Sequence, residues 1–225
     1  MTELSSIKAC VFDAYGTLFD VHSPTAKVAD VLGPSSQALS EMWRLKQLQY
    51  TWLRSLMGEY VAFWQVTGEA LDYALAAHGI DDADVRQCLM DLYLTLDAYP
   101  DAMTTLQQLR QTGHATAILS NGSRDMLDAA VESSGLGAEF DAVLSVEDVG
   151  IFKPDGRVYQ LAVDRMGVPS SEICFVSANA WDAAGAANFG FQVAHLNRFN
   201  QPPEGLPGTP KAIMKTLADL PPLLT

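Results

Sequence analysis

The chain has 225 residues, 48% of them apolar and 18% charged, which allows one large domain or a domain with a smaller insert around a substantial core. Its formal charge of −13 disfavours nucleic acid and anionic membrane surfaces, both of which need cationic patches, and leaves small anionic ligands open. The three cysteines, Cys10, Cys88 and Cys174, match no metal-site spacing and suit a reducing compartment; without a secretory pattern or a bilayer-length apolar run, a soluble cytoplasmic protein is expected.

The first element is a strand over Ile7–Phe12, an apolar run that ends on Asp13, with Gly16 and Thr17 close behind. Residues 20–97 then carry only helical patterns, over Ser35 to Met57, Glu59 to His78 and Asp82 to Leu96, punctuated by Gly58 and Gly79. From there strands and helices alternate. A helix over Asp101 to Gln111 leads to a strand at Ala115–Leu119, and a helix over Ser123 to Ser134 leads to a strand at Ala142–Leu144. A helix over Asp155 to Met166 precedes a strand at Ile173–Val176, and one over Trp181 to Asn188 precedes a strand at Gln192–His195. After a Pro/Gly-rich loop at 201–210, the pattern predicts a short final helix over Lys211 to Leu217. Continuous apolar strands alternating with helices predict a doubly wound parallel α/β sheet, Rossmann-like, with both faces covered. The expected division is a core of residues 1–19 and 98–225 and a helical cap of residues 20–97 over the strand ends.

Four polar segments fall at the carboxyl ends of predicted strands: Asp13–Thr17, Ser120-Asn121-Gly122-Ser123, Lys153-Pro154, and Ser177-Ala178-Asn179-Ala180-Trp181-Asp182. In a doubly wound sheet those ends converge on one crevice. Singly each is an ordinary turn or cap; together and in this order they are specific. The order, with a helical insert after the first segment, resembles the haloacid dehalogenase superfamily across nearly the whole chain. Phosphatases of that superfamily carry Asp-x-Asp first and paired acids last, whereas this chain has Asp13-Ala14-Tyr15 and Asn179-Ala180-Trp181-Asp182. Those segments, Lys153-Pro154-Asp155 with Tyr159, and the insert segment Met42 to Arg54 resemble the L-2-haloacid dehalogenase branch.

The resemblance implies an aspartyl-ester mechanism, and the residue types suit it. A phosphatase's second acid protonates a poor alkoxide leaving group; a halide leaves unprotonated, so Tyr15 in that position costs a dehalogenase nothing. Asp13 is the expected nucleophile, Lys153 and Thr17 its orienting partners, and Asp182 the base for water placed by Ser177 and Asn179. Tyr159 either simply packs or steadies Asp13 or Lys153 through its hydroxyl. Ser120, with the backbone N–H groups after it, is the expected site for the substrate carboxylate. Arg44, with Asn121 opposite, is expected at the halide; from pattern alone Arg54 fits equally, and the resemblance favours Arg44. It also implies that Tyr15, Leu48, Phe63 and Trp181 line an apolar pocket around the alkyl group, and that Leu45 stands where relatives often carry glutamine. The expected turnover converts an L-2-haloacid and water to a D-2-hydroxyacid and halide, with no cofactor and no metal.

Three rival readings differ in what they require. A magnesium-dependent phosphatase on the same scaffold would lose activity to chelator. A non-catalytic binder of small carboxylates would retain chloropropionate without releasing halide. Hydrolysis of another activated 2-substituted acid would use the same displacement. Serine-triad and dinucleotide chemistry lack their motifs, and His22, His78, His114 and His195 are scattered. The insert helices are apolar on more than one face, so a homodimer through them is expected, as the resemblance also implies.

Overall fold

The computed structural model describes residues 4–224. Strand β1 (Ala9–Phe12) is followed by helices α1 (Ser23–Lys27), α2 (Ala29–Leu32), α3 (Ser36–Met57), α4 (Phe63–Ala77) and α5 (Ala83–Leu94). The alternating part comprises α6 (Ala102–Gln111), β2 (Ala115–Ser120), α7 (Arg124–Ser134), β3 (Ala142–Ser145) and α8 (Gly156–Met166). It continues through β4 (Ile173–Ser177), α9 (Ala180–Phe189), β5 (Gln192–Leu196) and β6 (Ala212–Met214).

The strands form one parallel sheet in the order β3-β2-β1-β4-β5-β6. β1, β4 and β5 are buried at every residue, which is why they read as mostly apolar runs. Cys10 and Cys174 face each other in register on β1 and β4, both fully buried and unbridged, and serve as small apolar side chains. β1 lies where the strand order reverses, so the crevice beyond its carboxyl end is the natural ligand position.

The helical insert leaves and returns at one point. The Asp20 N–H donates to the Asp97 carbonyl at 2.8 Å, and Phe19 pairs with Ala98 as an antiparallel bridge. Helix α3 stops at Gly58, whose φ of +71° few other residues adopt, and the Glu59 N–H reaches back to the Arg54 carbonyl. For that reason residues 59–62 are a connection, and the helix expected from Glu59 begins only at Phe63. Asp82 caps α5 by accepting from the N–H groups of Asp84 and Val85. Two short helices, α1 and α2, occupy residues that showed no separate helical pattern.

The helix expected over Lys211 to Leu217 is absent. Residues 212–214 form β6, an edge strand paired with β5, and Leu217–Asp219 is a single tight turn capped by Thr216. Lys211, Met214 and Leu217 are three apart and mimic a helix. The actual pattern is alternation: Ala212 and Met214 are buried and Ile213 is 69% exposed.

Candidate active site

Asp13 sits one residue beyond β1 and is 6% exposed. Its carboxylate is held from three sides. The Thr17 hydroxyl donates to Oδ2 at 2.9 Å, the Asn179 amide donates to the same oxygen at 2.8 Å, and the Lys153 ammonium donates to Oδ1 at 3.0 Å. Thr17 is fixed in turn by accepting from the Ala178 N–H at 2.8 Å. The turn that starts this arrangement needs Gly16, whose φ is +93°.

Lys153 reaches its place from the loop after β3. Its ammonium bridges two carboxylates, donating also to Asp182 Oδ2 at 2.9 Å. Asp182 lies on α9, wholly buried, and takes further hydrogen bonds from the Tyr159 hydroxyl at 2.7 Å and the Ser177 hydroxyl at 3.0 Å. Gly185, one turn on, lets α9 approach Pro154 and Tyr159 closely; a Cβ there would stand 2.6 Å from Pro154 Cβ and 2.7 Å from the tyrosine oxygen. Sequence-distant residues Asp13, Thr17, Lys153, Tyr159, Ser177, Asn179 and Asp182 thus form one hydrogen-bonded cluster.

Burial works against the Lys153 charge, but Asp13 and Asp182 outweigh it and hold the ammonium above the ordinary lysine range. Burial pushes Asp182 above the usual carboxylate range; Asp13 adds to the rise, while Lys153 and the Tyr159 hydrogen bond oppose it. Burial, reinforced by Asp182, raises the Tyr159 phenol well above its ordinary value, so that it is a neutral donor.

The insert contributes Arg44, from α3. Its guanidinium donates to the Tyr15 carbonyl at 3.1 Å and to Asn179 Oδ1 at 3.2 Å, so it touches the group that holds Asp13. Arg54, the alternative from pattern, instead pairs with Glu69 on the insert. Arg44, Leu48, Asn179 and Trp181 line a cleft of about 390 Å³ that also includes Gly16 and Arg198. Tyr15 and Phe63 pack ring to ring, with centroids 5.8 Å apart, and both are almost fully buried. The Tyr15 phenol, raised well above its ordinary value by burial, has no hydrogen-bond partner among the described residues.

Ser120 ends β2, and its hydroxyl accepts from the Gly122 N–H at 3.0 Å, shaping the turn into α7. The Asn121 carbonyl oxygen accepts from the Lys153 backbone N–H at 2.9 Å. Its amide therefore ties the two loops together, a role the sequence did not suggest. Leu45 is 61% exposed and faces away from the buried cluster.

Two further contributors were missed. Gln47 is buried one turn beyond Arg44; it accepts from the guanidinium at 2.7 Å and donates to Thr67 and Tyr93. Its signal was the i, i+3 spacing from Arg44 on one helix. Arg198 follows β5, donates to the Thr17 carbonyl at 3.3 Å, and is fixed by Asp101 and the Tyr99 ring. Its signal was its position past a fifth strand's carboxyl end.

Comparison with known proteins adds to this geometry. Residues 7–190 match the model of the haloacid dehalogenase-like hydrolases. The (S)-2-haloacid dehalogenase 4A of Burkholderia cepacia is 49% identical over 222 residues, covering 98% of this chain and 96% of the relative. The (S)-2-haloacid dehalogenase 1 of Pseudomonas sp. (strain CBS-3) is 47% identical, covering 98% of each. The crystal structure of L-2-haloacid dehalogenase from Xanthobacter autotrophicus with chloropropionic acid covalently bound superposes with a TM-score of 0.90 at 39% identity, covering 96% of this chain and 98% of that one.

Proposed function

The chain belongs to the haloacid dehalogenase-like hydrolase family, and from that premise we propose that it hydrolyses short L-2-haloacids to D-2-hydroxyacids and halide. The observation that carries this reading is the setting of Asp13: three donors orient its carboxylate, and Tyr15 stands two residues on in place of the second carboxylic acid that an alkoxide leaving group calls for. An ammonium, Lys153, already bridges Asp13 and Asp182 and balances the charge between them.

In the first step an Asp13 oxygen attacks C2 of the substrate from the side opposite the halogen. A C–O bond forms, the C–X bond breaks, and the halide departs with its electron pair. Orientation of nucleophile and carbon can lower such a barrier by roughly 7–11 kcal/mol. Arg44 faces the departing halide with Asn121, and Ser120 with the N–H groups after it holds the substrate carboxylate. Tyr15, Leu48, Phe63 and Trp181 enclose the alkyl group. In the second step Asp182 takes a proton from water as that water attacks the Asp13 ester carbonyl. Ser177 and Asn179 place the water, and Tyr159 keeps Asp182 aimed through its 2.7 Å bond. The acyl C–O bond breaks, the departing alkoxide takes the proton back from Asp182, and Asp13 returns to a carboxylate by releasing the water's second proton to solvent. C2 is inverted once.

A core of residues 1–19 and 98–225 carries the chemistry under a cap of residues 20–97; residues 1–3 and 225 lie outside the described part. The Asp20–Asp97 crossing supports these boundaries. No helix among the described residues is long and apolar enough to cross a membrane, and the reading places the enzyme in the cytoplasm as a homodimer through the cap helices.

The test is a single turnover of L-2-chloropropionate in oxygen-18 water with enzyme in excess. The expected product is unlabelled, with label in Asp13 on peptide mapping. Label in the first product would overturn the ester path, and an Asp13→Ala variant that still releases chloride would overturn the reading altogether.

A further inference from the structure

Arg44 is a cation that no acid of the fold cancels. Its hydrogen bonds go to three neutral oxygens, Gln47 Oε1 at 2.7 Å, the Tyr15 carbonyl at 3.1 Å and Asn179 Oδ1 at 3.2 Å. Among the described residues it forms no ion pair, whereas Arg54, Arg86, Arg110, Arg157 and Arg198 each meet a carboxylate. Lys153, the buried cation beside Asp13, is matched by two. A guanidinium is charged throughout the working pH range, so an unmatched one keeps its charge for a ligand anion.

Gln47 makes this arrangement hold. It is buried on α3, three residues after Arg44 and on the same face. Thr67, on α4, donates its hydroxyl hydrogen to the Phe63 carbonyl at 2.8 Å and so offers Gln47 only a lone pair, which accepts the amide N–H at 2.8 Å. That contact turns the amide oxygen toward Arg44. Tyr93, from α5, closes the other side, with its hydroxyl 3.1 Å from the amide nitrogen and 3.2 Å from the amide oxygen. Burial holds this phenol above its ordinary value, so it brings no negative charge. Residues of α4 and α5 thereby orient a side chain of α3, and Arg44 passes that order on to Asn179, which holds Asp13.

We propose that Gln47 is a positioning residue for the leaving halide: it aims Arg44 with a neutral acceptor and leaves the guanidinium its full charge for the departing anion. This rests on the dehalogenase reading for the identity of the anion and on the contacts above for the positioning. A glutamate in the same space keeps the hydrogen bond and cancels the charge. A methionine keeps the packing and the charge and loses the acceptor. Chloride, the poorer leaving group, draws more on a cation at departure than bromide does.

The experiment uses Gln47→Glu, Gln47→Met and Thr67→Val with two readouts. Chloride-35 line broadening, titrated with sodium chloride, reads anion binding without turnover. Gln47→Glu is expected to weaken chloride binding by about tenfold or more, and Gln47→Met by less. In turnover of 2-chloropropionate and 2-bromopropionate, Gln47→Glu is expected to lower kcat by about tenfold or more for the chloride and by less for the bromide, with both KM values within about twofold because Ser120 holds the carboxylate. A glutamine that served packing alone would move the two halides equally. Should Gln47→Glu fail to fold, Thr67→Val, which frees the amide to turn, is expected to shift the chloro-to-bromo ratio in the same direction. Gln47→Glu that binds chloride as the native chain does, or variants that leave the ratio fixed, overturns the proposal. A native chain that binds chloride, loses it in Gln47→Glu and yet releases no halide overturns the dehalogenase reading instead, and the positioning of an anion by Gln47 stands.

Discussion

Lys153 is the side chain on which most of the buried cluster depends. It is 1% exposed and is the cation between Asp13 and Asp182. Lys153→Met leaves two carboxylates facing each other in the interior, and is expected to cost about 3–5 kcal/mol of stability, read by denaturant unfolding, together with all measurable halide release. The lysine's folded-state pKa lies above its unfolded value, so its contribution is complete below the ordinary lysine range and is lost as pH rises through the raised value. Asp182 runs the other way: its raised pKa makes its ionisation unfavourable to the fold as pH climbs past the ordinary carboxylate range. As the proposed base for water it must nonetheless be ionised. Tyr159→Phe deletes a hydrogen bond that holds the Asp182 pKa down, so the acid limb of kcat against pH is expected to move upward, with a loss of about tenfold or more at mildly acid pH and little change in KM. A Tyr159 that merely packs would leave the limb in place. Most of these cluster residues were legible because they belong to short polar segments after apolar runs, whereas Tyr159, inside α8, stood out only through the resemblance. Gln47 and Arg198 were not, because a glutamine inside a helix and an arginine after an edge-side strand look like solvated surface until the fold brings them to Arg44 and Thr17.

At the scale of elements, the interior strands were readable and the sheet's edge was not. β1, β4 and β5 are apolar at most positions because helices cover both faces, and that pattern survives without any knowledge of pairing. β6 has three residues and one buried face, too little for either period to declare itself. The end of α3 is likewise set by a glycine conformation that hydropathy does not report. The α9 contact offers a test of packing against propensity. Alanine is the better helix former by about 1 kcal/mol. Gly185→Ala would nevertheless drive a methyl group into Pro154 and Tyr159, and is expected to destabilise by about 1–3 kcal/mol in chemical denaturation. A more stable variant would mean that α9 can retreat without harm to Asp182.

For the whole molecule, the distribution of apolar surface matters more than its amount. Leu45, Leu53, Leu56 and Met57 are all exposed on α3, and Leu56 is 84% exposed. Isolated exposed leucines are ordinary, but a group on one helix marks a contact surface. The homodimer is expected to appear as a doubled mass in light scattering, and Leu53→Glu with Met57→Glu to return it to the monomer; a native monomer at working concentration would refute the dimer. Arg44 and Arg198 line the cleft in a chain with a net charge of −13, so two cations converge there within an otherwise acidic molecule.

The chemistry of the nucleophile carries a consequence across many cycles. One Asp13 oxygen is held by Thr17 and Asn179 and the other by Lys153, but the two atoms are chemically identical, so a half-turn of the carboxylate restores the same set of contacts. On the proposed ester path each round leaves one solvent oxygen on the residue and gives one older oxygen to the product. After prolonged operation in heavy-oxygen water the residue is therefore expected to carry label at both atoms, and late product to be labelled although the first molecule is not.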